Sequence, residues 1–125
     1  MEGCAAPAPG RESTWITAGF LDAYTRLHRL GFAHSVECWQ GRRLVGGIYG
    51  VAIGGFFAGE SMFHRVDDAS KVALYSLINH LREHRFALLD IQMVTAITSQ
   101  LGATTIPREE YLKRLARAIK LERSF

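Results

Sequence analysis

Apolar positions recur at helical spacing in three stretches of the chain and at strand spacing between them. Phe20, Leu21, Tyr24, Leu27 and Leu30 fall at the three- and four-residue intervals that share one helix face, with Thr17 as a cap and Gly31 as a stop. Residues 34–39 then read as a strand, Gln40-Gly-Arg-Arg as a turn, and 44–49 and 51–58 as two further strands of an antiparallel meander. Asp67 or Asp68 stands where it can cap a long helix reaching about His84, with Val72, Leu74, Tyr75, Leu77, Ile78 and Leu81 on its buried side. Residues 86–91 are apolar on both faces, as in a central strand. After a loop, Pro107 opens a last helix with Glu109 and Glu110 in its first turn and Tyr111, Leu112, Leu115 and Ile119 inward. This order predicts an α+β fold, with helices flanking a mainly antiparallel sheet.

Composition narrows the picture little. At 125 residues, 48% hydrophobic and 22% charged, the chain is long enough for one domain with a core of its own. A net charge of +3 and a pI near 9.1 are compatible with a nucleic-acid partner without requiring one. Cys4 and Cys38 lack metal or redox spacing and read as reduced thiols. Residues 1–13, with Ala-Ala-Pro-Ala-Pro-Gly, read as a loose leader without the charged start and apolar centre of a signal peptide. No uninterrupted apolar stretch has membrane-spanning length. The expectation is a cytoplasmic domain over 14–120 with a short tail at 121–125.

Two stretches carry candidate chemistry. The run from Leu44 to Phe63 is strand and turn vocabulary that delivers one carboxylate, Glu60, into apolar and small surroundings. In the second, an apolar strand ends in Asp90 and Gln92, which share a face if the strand continues through both. An Asp90 hydrogen-bonded to the Gln92 amide makes its oxygen a better acceptor for an incoming amine. By spacing alone, an Asp90 that caps a backbone N–H beside an exposed Gln92 is the stronger reading. For Glu60, a substrate-binding role and an ion pair with Arg65 or Lys71 stand level. His80 and His84 have a zinc-compatible i, i+4 spacing but no third ligand in view, so they read as an exposed helix face and no metal is expected. The glycines of 46–55 precede no Lys-Ser/Thr, and no serine or cysteine sits in a nucleophile-elbow context.

Several of these residues carry a resemblance. Gly-Glu-Ser-Met-Phe (59–63), Asp68-Ala-Ser-Lys71, the Asp90-x-Gln92 pair and the Leu101-Gly-Ala-x-x-Ile-Pro-Arg108 segment resemble the leucyl/phenylalanyl-tRNA–protein transferases. Thr14-Trp-Ile-Thr17, His34-Ser-Val-Glu37 with Trp39, and Leu44-Val-Gly-Gly-x-Tyr-Gly50 follow the same pattern in the same order. The resemblance covers residues 2–115 and the family's C-terminal, acetyltransferase-like (GNAT-type) domain; the family's N-terminal domain is not expected in this chain.

The resemblance implies transfer of Leu or Phe from aminoacyl-tRNA to proteins with an N-terminal Arg or Lys, which marks them for degradation. It assigns Asp90 and Gln92 to positioning and deprotonating the acceptor amine and Glu60 to holding the acceptor. Trp15, Ile48, Phe57, Leu77 and Leu89 match the pocket for the Leu or Phe side chain; for each alone, core packing is the simpler reading. Basic residues of the last helix become candidates for acceptor-stem phosphates, although such faces are usually solvated. The segment 60–68 offers no glycine-rich basic loop for a pyrophosphate, so neither coenzyme A nor another cofactor is expected. Family members carry a histidine and a serine where Ile97 and Gln100 stand, and often a cysteine at Ile91. A second expectation is a truncated, inactive homologue that at most binds aminoacyl-tRNA or basic protein N-termini.

Overall fold

Turn chemistry and close backbone contacts set the element boundaries in the computed structural model, which describes residues 1–7 and 13–125. The elements are α1 (Glu2–Ala5), α2 (Ala18–Arg29), β1 (Ala33–Gln40), β2 (Arg43–Ile53), β3 (Phe56–His64), α3 (Ala69–Glu83), β4 (Leu88–Asp90), α4 (Ala96–Gln100) and α5 (Arg108–Ala118). They form one four-stranded sheet in the order β1-β2-β3-β4, flanked by helices. The first three strands pair antiparallel and β4 runs parallel to β3, so the α+β fold has a mixed sheet.

The sequence pattern places a strand break at Gly50, and the structure moves it. β2 runs on to Ile53, and the hairpin turns at Gly54, whose φ of 58° is in the left-handed region that favours glycine. Gly50 is instead where the pairing shifts: Tyr49 opposes Ser61 and Gly50 opposes Gly59, leaving Glu60 as the extra residue of a β-bulge. A Cβ at Gly50 would lie 2.1 Å from the Ala58 carbonyl oxygen and 2.4 Å from a Phe57 ring carbon. Glycine stands there for close approach, not for a turn.

One sheet face packs on α3. Ile48, Ala52 and Phe57 meet Ala73, Leu74, Leu77 and Leu81 in the main core. Val72 and Tyr75, read as buried from the sequence, are exposed; the buried stripe passes through Ala73 instead, because small residues let the helix lie close. Asp68 precedes α3 as its N-cap residue, but its side chain makes no cap and bonds the Lys71 ammonium instead.

The other face holds a smaller cluster of Cys4, Ile16 and Tyr49, flanked by Leu21, Tyr24 and Phe63. The start of the expected loose leader is therefore a docked helical turn, α1, anchored by a fully buried Cys4; residues 8–12 of that leader lie outside the described residues.

Two further expectations change. The stretch read as a central strand is the edge strand β4, only three residues long and half-buried. In α5, Ala118 is buried, and Leu112 and Ile119 are exposed, because the helix end backs onto the hairpin: the Gly55 N–H donates to the Ala118 carbonyl at 2.8 Å. His80 is not on an open face. Phe125 lies 4.3 Å from the rings of both His80 and His34 and 5.3 Å from Phe57, and the His80 Nε2 is buried without a hydrogen-bond partner among the described residues.

Gly50→Ala is expected to destabilise the protein by at least about 1–3 kcal/mol, the cost of overpacking. Gly19→Ala, in the open first turn of α2, should instead be neutral or stabilise by up to about 1 kcal/mol. Urea unfolding of both variants checks the contrast.

Burial, then the neighbouring His84, holds the His80 imidazole below its usual pKa, and His34 adds to this while Glu83 opposes it. The folded protein thus takes up a proton less readily there than the unfolded chain. The His80 contribution is complete above about pH 6.5 and is lost as pH falls below it. Urea midpoints at neutral and mildly acid pH should fall together with pH, and His80→Leu should flatten that slope.

Candidate functional site

β4 stops at Asp90 because the chain then leaves the sheet. Asp90 opposes Ala58 of β3, and two residues later Gln92 has φ 68°, a left-handed conformation costing a side-chain-bearing residue about 1–2 kcal/mol. Strand alternation therefore does not relate the two residues. Hydrogen bonds do. The Gln92 backbone N–H donates to Asp90 Oδ1 at 2.8 Å, and the Gln92 side-chain Nε2 donates to the Gly59 carbonyl at 3.2 Å. The expected contact between the Asp90 carboxylate and the Gln92 amide group is absent, because the left-handed bend turns that side chain toward β3. Gln92 Oε1 has no partner among the described residues and is free to accept.

The second Asp90 oxygen is also taken. The Tyr111 hydroxyl of α5 donates to Asp90 Oδ2 at 2.7 Å. That bond, followed by burial and the carboxylate charge, pushes the Tyr111 phenol up to about 12. The three residues line an open cleft of about 570 Å³ with apolar walls that include Leu74 and Ile78 of α3 and Leu89 of β4. Its far side is formed by the α4–α5 connection, including Leu101 and Ile106, and by Arg108 and Arg114. The loop entering α4 is held by reciprocal bonds between Thr95 and Thr98, whose side chains each accept the other's backbone N–H. Ile97 and Gln100 lie on this short helix.

Glu60 is placed by the bulge, not by a strand end. Neither proposed ion-pair partner engages it: Lys71 pairs with Asp68, and Arg65 donates to the Leu44 carbonyl with its guanidinium 5.4 Å from the Phe63 ring centre. The group its charge acts on is Tyr24 of α2. Burial, then the Glu60 charge and the hydrogen bond to it, push the Tyr24 phenol up to about 12. Tyr49, with its hydroxyl buried and unpaired among the described residues, is also raised, mainly by burial.

Ala58 opposes both Val51 and Asp90, so these three share a sheet face, and Tyr49, two residues from Val51, shares it too. The carboxylates Glu60 and Asp90 thus belong to the same side of the sheet.

The five residues matched to a donor pocket separate. Ile48, Phe57 and Leu77 are core residues, and Leu89 packs against them while also lining the cleft. Trp15 is 50% exposed and stands edge-to-face with Phe20 at 5.2 Å. From Phe20 an aromatic row continues through Tyr24 to Tyr49, so Trp15 is joined to the Glu60 side of the site. Sequence reasoning missed Tyr24 and Tyr111 as site residues and placed both on apolar helix faces. The available signal was chemical: a buried tyrosine hydroxyl needs a partner. Among the described residues no cluster of three metal-ligating side chains occurs, and no helix is long and apolar enough to cross a membrane.

A family model described as leucyl/phenylalanyl-tRNA protein transferase matches residues 1–116. Curated proteins named leucyl/phenylalanyl-tRNA–protein transferase are similar along the same span. That of Phenylobacterium zucineum is 57% identical over 122 residues, which cover 98% of this chain and 55% of the relative. Those of Maricaulis maris and Rhodospirillum rubrum are 53% and 51% identical, cover the whole chain, and are themselves covered over 58% and 59% of their lengths. The chain thus spans a little over half the length of these relatives.

Replacing Glu60 with Gln removes the charge that acts on Tyr24 but not the burial. The Tyr24 phenol is expected to fall from about 12 while staying above its ordinary value near 10. Titration by NMR of ring-labelled tyrosine checks this, and an unmoved Tyr24 would break the assigned pairing.

Proposed function

The chain belongs to the leucyl/phenylalanyl-tRNA–protein transferase family, and on that premise we propose that it serves aminoacyl transfer from tRNA to a protein N-terminus. The donor is Leu or Phe esterified to tRNA, and the acceptor is the α-amine of an N-terminal Arg or Lys. The neutral amine attacks the ester carbonyl, the new C–N bond forms, the bond to the ribose oxygen breaks, and the amine proton leaves with that oxygen. The observation that carries the reading is the free Gln92 Oε1, held in an apolar-walled cleft by a bend that Asp90 fastens. An acceptor oxygen fixed there binds the amine N–H and turns its lone pair toward the carbonyl.

Glu60, negative and on the same side of the sheet as Asp90, suits the basic side chain or α-ammonium of the acceptor. Leu74, Ile78 and Leu89 offer apolar surface to the donor side chain, with discrimination of about 1–3 kcal/mol per methylene-sized misfit. Three antiparallel strands followed by a parallel edge strand, with helices on both faces, support the acetyltransferase-like reading of the fold, here without coenzyme A. A cytoplasmic place and a role in tagging proteins for degradation complete the proposal.

The experiment is transfer of radiolabelled leucine from Leu-tRNA to a protein with an N-terminal arginine, by the parent chain and by Asp90→Ala. Label is expected with the parent, and near-complete loss with a variant whose circular dichroism stays native. Equal transfer by the variant removes Asp90 from the mechanism. A folded parent that transfers nothing overturns the reading for this chain.

A further inference from the structure

We infer that Tyr111 is a positioning residue for the transfer site: its hydroxyl fixes Asp90, and through Asp90 the strained bend that aims Gln92 at the reacting amine. The inference rests on the transferase reading above. Its starting point is that Gln92 sits at the centre of a tight turn, closed by the Met93 N–H donating to the Ile91 carbonyl at 2.8 Å, with a left-handed φ. A glutamine at φ 68° sits in a conformation that an unrestrained chain abandons, so the surroundings must over-determine it. The edge strand that precedes it is three residues long and pairs with one neighbour only. Besides that turn bond, what holds the bend is the N–H of Gln92 on Asp90 Oδ1 and the Gln92 amide on the Gly59 carbonyl.

The first of these restraints is no firmer than Asp90 itself. A half-buried aspartate with one oxygen in water has two rotatable bonds and several equivalent ways to solvate its charge. Tyr111 removes that freedom. Its hydroxyl takes Oδ2 at 2.7 Å while Gln92 takes Oδ1 at 2.8 Å, so the carboxylate plane is set from two directions.

Tyr111 is in turn held by a rigid support. Its N–H donates to the Pro107 carbonyl at 3.0 Å in the first turn of α5, and the far end of α5 is tied to the hairpin through Ala118. The tyrosine therefore bridges a helix anchored on the β2–β3 turn to the side chain that fastens the Gln92 N–H. Each Asp90 oxygen already holds a donor, so the carboxylate is fixed in orientation. Its contribution is placement, and Tyr111 sets that placement.

A purely structural tyrosine would be interchangeable with phenylalanine apart from some stability. A positioning one would not, so Tyr111→Phe is the variant, tested in two ways. In the 15N-labelled chain, hydrogen exchange at the Gln92 amide is expected to accelerate about tenfold or more, with β2 and β3 amides unchanged. In the Leu-tRNA transfer assay, kcat is expected to fall about ten- to a hundredfold while KM for Leu-tRNA stays within about twofold. Asp90→Asn gives a second check through the partner: the Tyr111 phenol should move down from about 12.

Tyr111→Phe with parent-like Gln92 exchange overturns the tether. A loosened Gln92 with unchanged kcat, or a rise in KM alone, overturns the positioning role. If the folded parent transfers nothing while Tyr111→Phe still loosens Gln92, the transferase reading fails and the tether stands.

Discussion

Backbone approach at two glycines is the constraint from which the arrangement of the site follows. At Gly46 a Cβ would lie 2.6 Å from the Cβ of Ala69, so the start of α3 rests directly on β2 with no side chain between them. That contact sets the depth and rotation of α3, putting Leu74, Leu77 and Leu81 against the sheet and leaving Ile78 beside Leu74 at the cleft wall. At Gly50 the missing side chain lets the Ala58 carbonyl close in, and the register slips by one residue. The slip displaces Glu60 from the ladder and leaves its charge acting on Tyr24. A larger residue at either place would shift the helix or undo the bulge, and interiors packed as densely as crystals do not absorb such shifts locally.

The second organising interaction is smaller and depends on the first. Gly59, next to the bulge, accepts the Gln92 amide through its carbonyl, so the same stretch of β3 that presents Glu60 also supports Gln92. Asp90 then joins three elements through one carboxylate: an edge strand, a left-handed bend and α5. Backbone strain persists where surroundings enforce it. Here the enforcing groups are a carboxylate with both oxygens committed and a tyrosine that keeps its proton at neutral pH.

Much of the layout was legible from the order of apolar positions. The helices over α2, α3 and α5 and the paired strands lie near where periodicity puts them, because amphipathic faces are written directly in the chain. What periodicity cannot register is the purpose of a glycine. Gly50 and Gly54 look alike in the sequence, yet one marks a close approach and the other a turn, which displaced the predicted strand boundary and put Glu60 at a strand end. The same blindness made Val72 and Tyr75 look buried, since apolar character was counted where small size decided. At the site, Asp90, Gln92 and Glu60 stood out because polar groups interrupt apolar strands. Tyr24 and Tyr111 did not, because a tyrosine on a helix face satisfies the apolar pattern and hides its hydroxyl. The pocket residues were read from a family pattern, and Ile48, Phe57 and Leu77 serve the core that supports the cleft.

A site of this construction suits a reaction that is limited by orientation. Aminolysis of an activated ester needs a neutral amine at the right angle and distance, and well-oriented reactants are worth about 7–11 kcal/mol of barrier. A general base contributes less, and a mobile carboxylate would compete for the ammonium form and hold it unreactive. A carboxylate whose oxygens each already hold a donor is fixed in place, and lends rigidity to the bend beside it. In the proposed transfer the acceptor role would fall to an amide oxygen, which binds an N–H without removing it. Glu60, held apart on the bulge, would in the same proposal attract the positive charge of the acceptor away from the reacting nitrogen. Separating the group that attracts charge from the group that orients the amine requires two strand segments set at different heights. The bulge at Gly50 and the bend at Gln92 supply that offset.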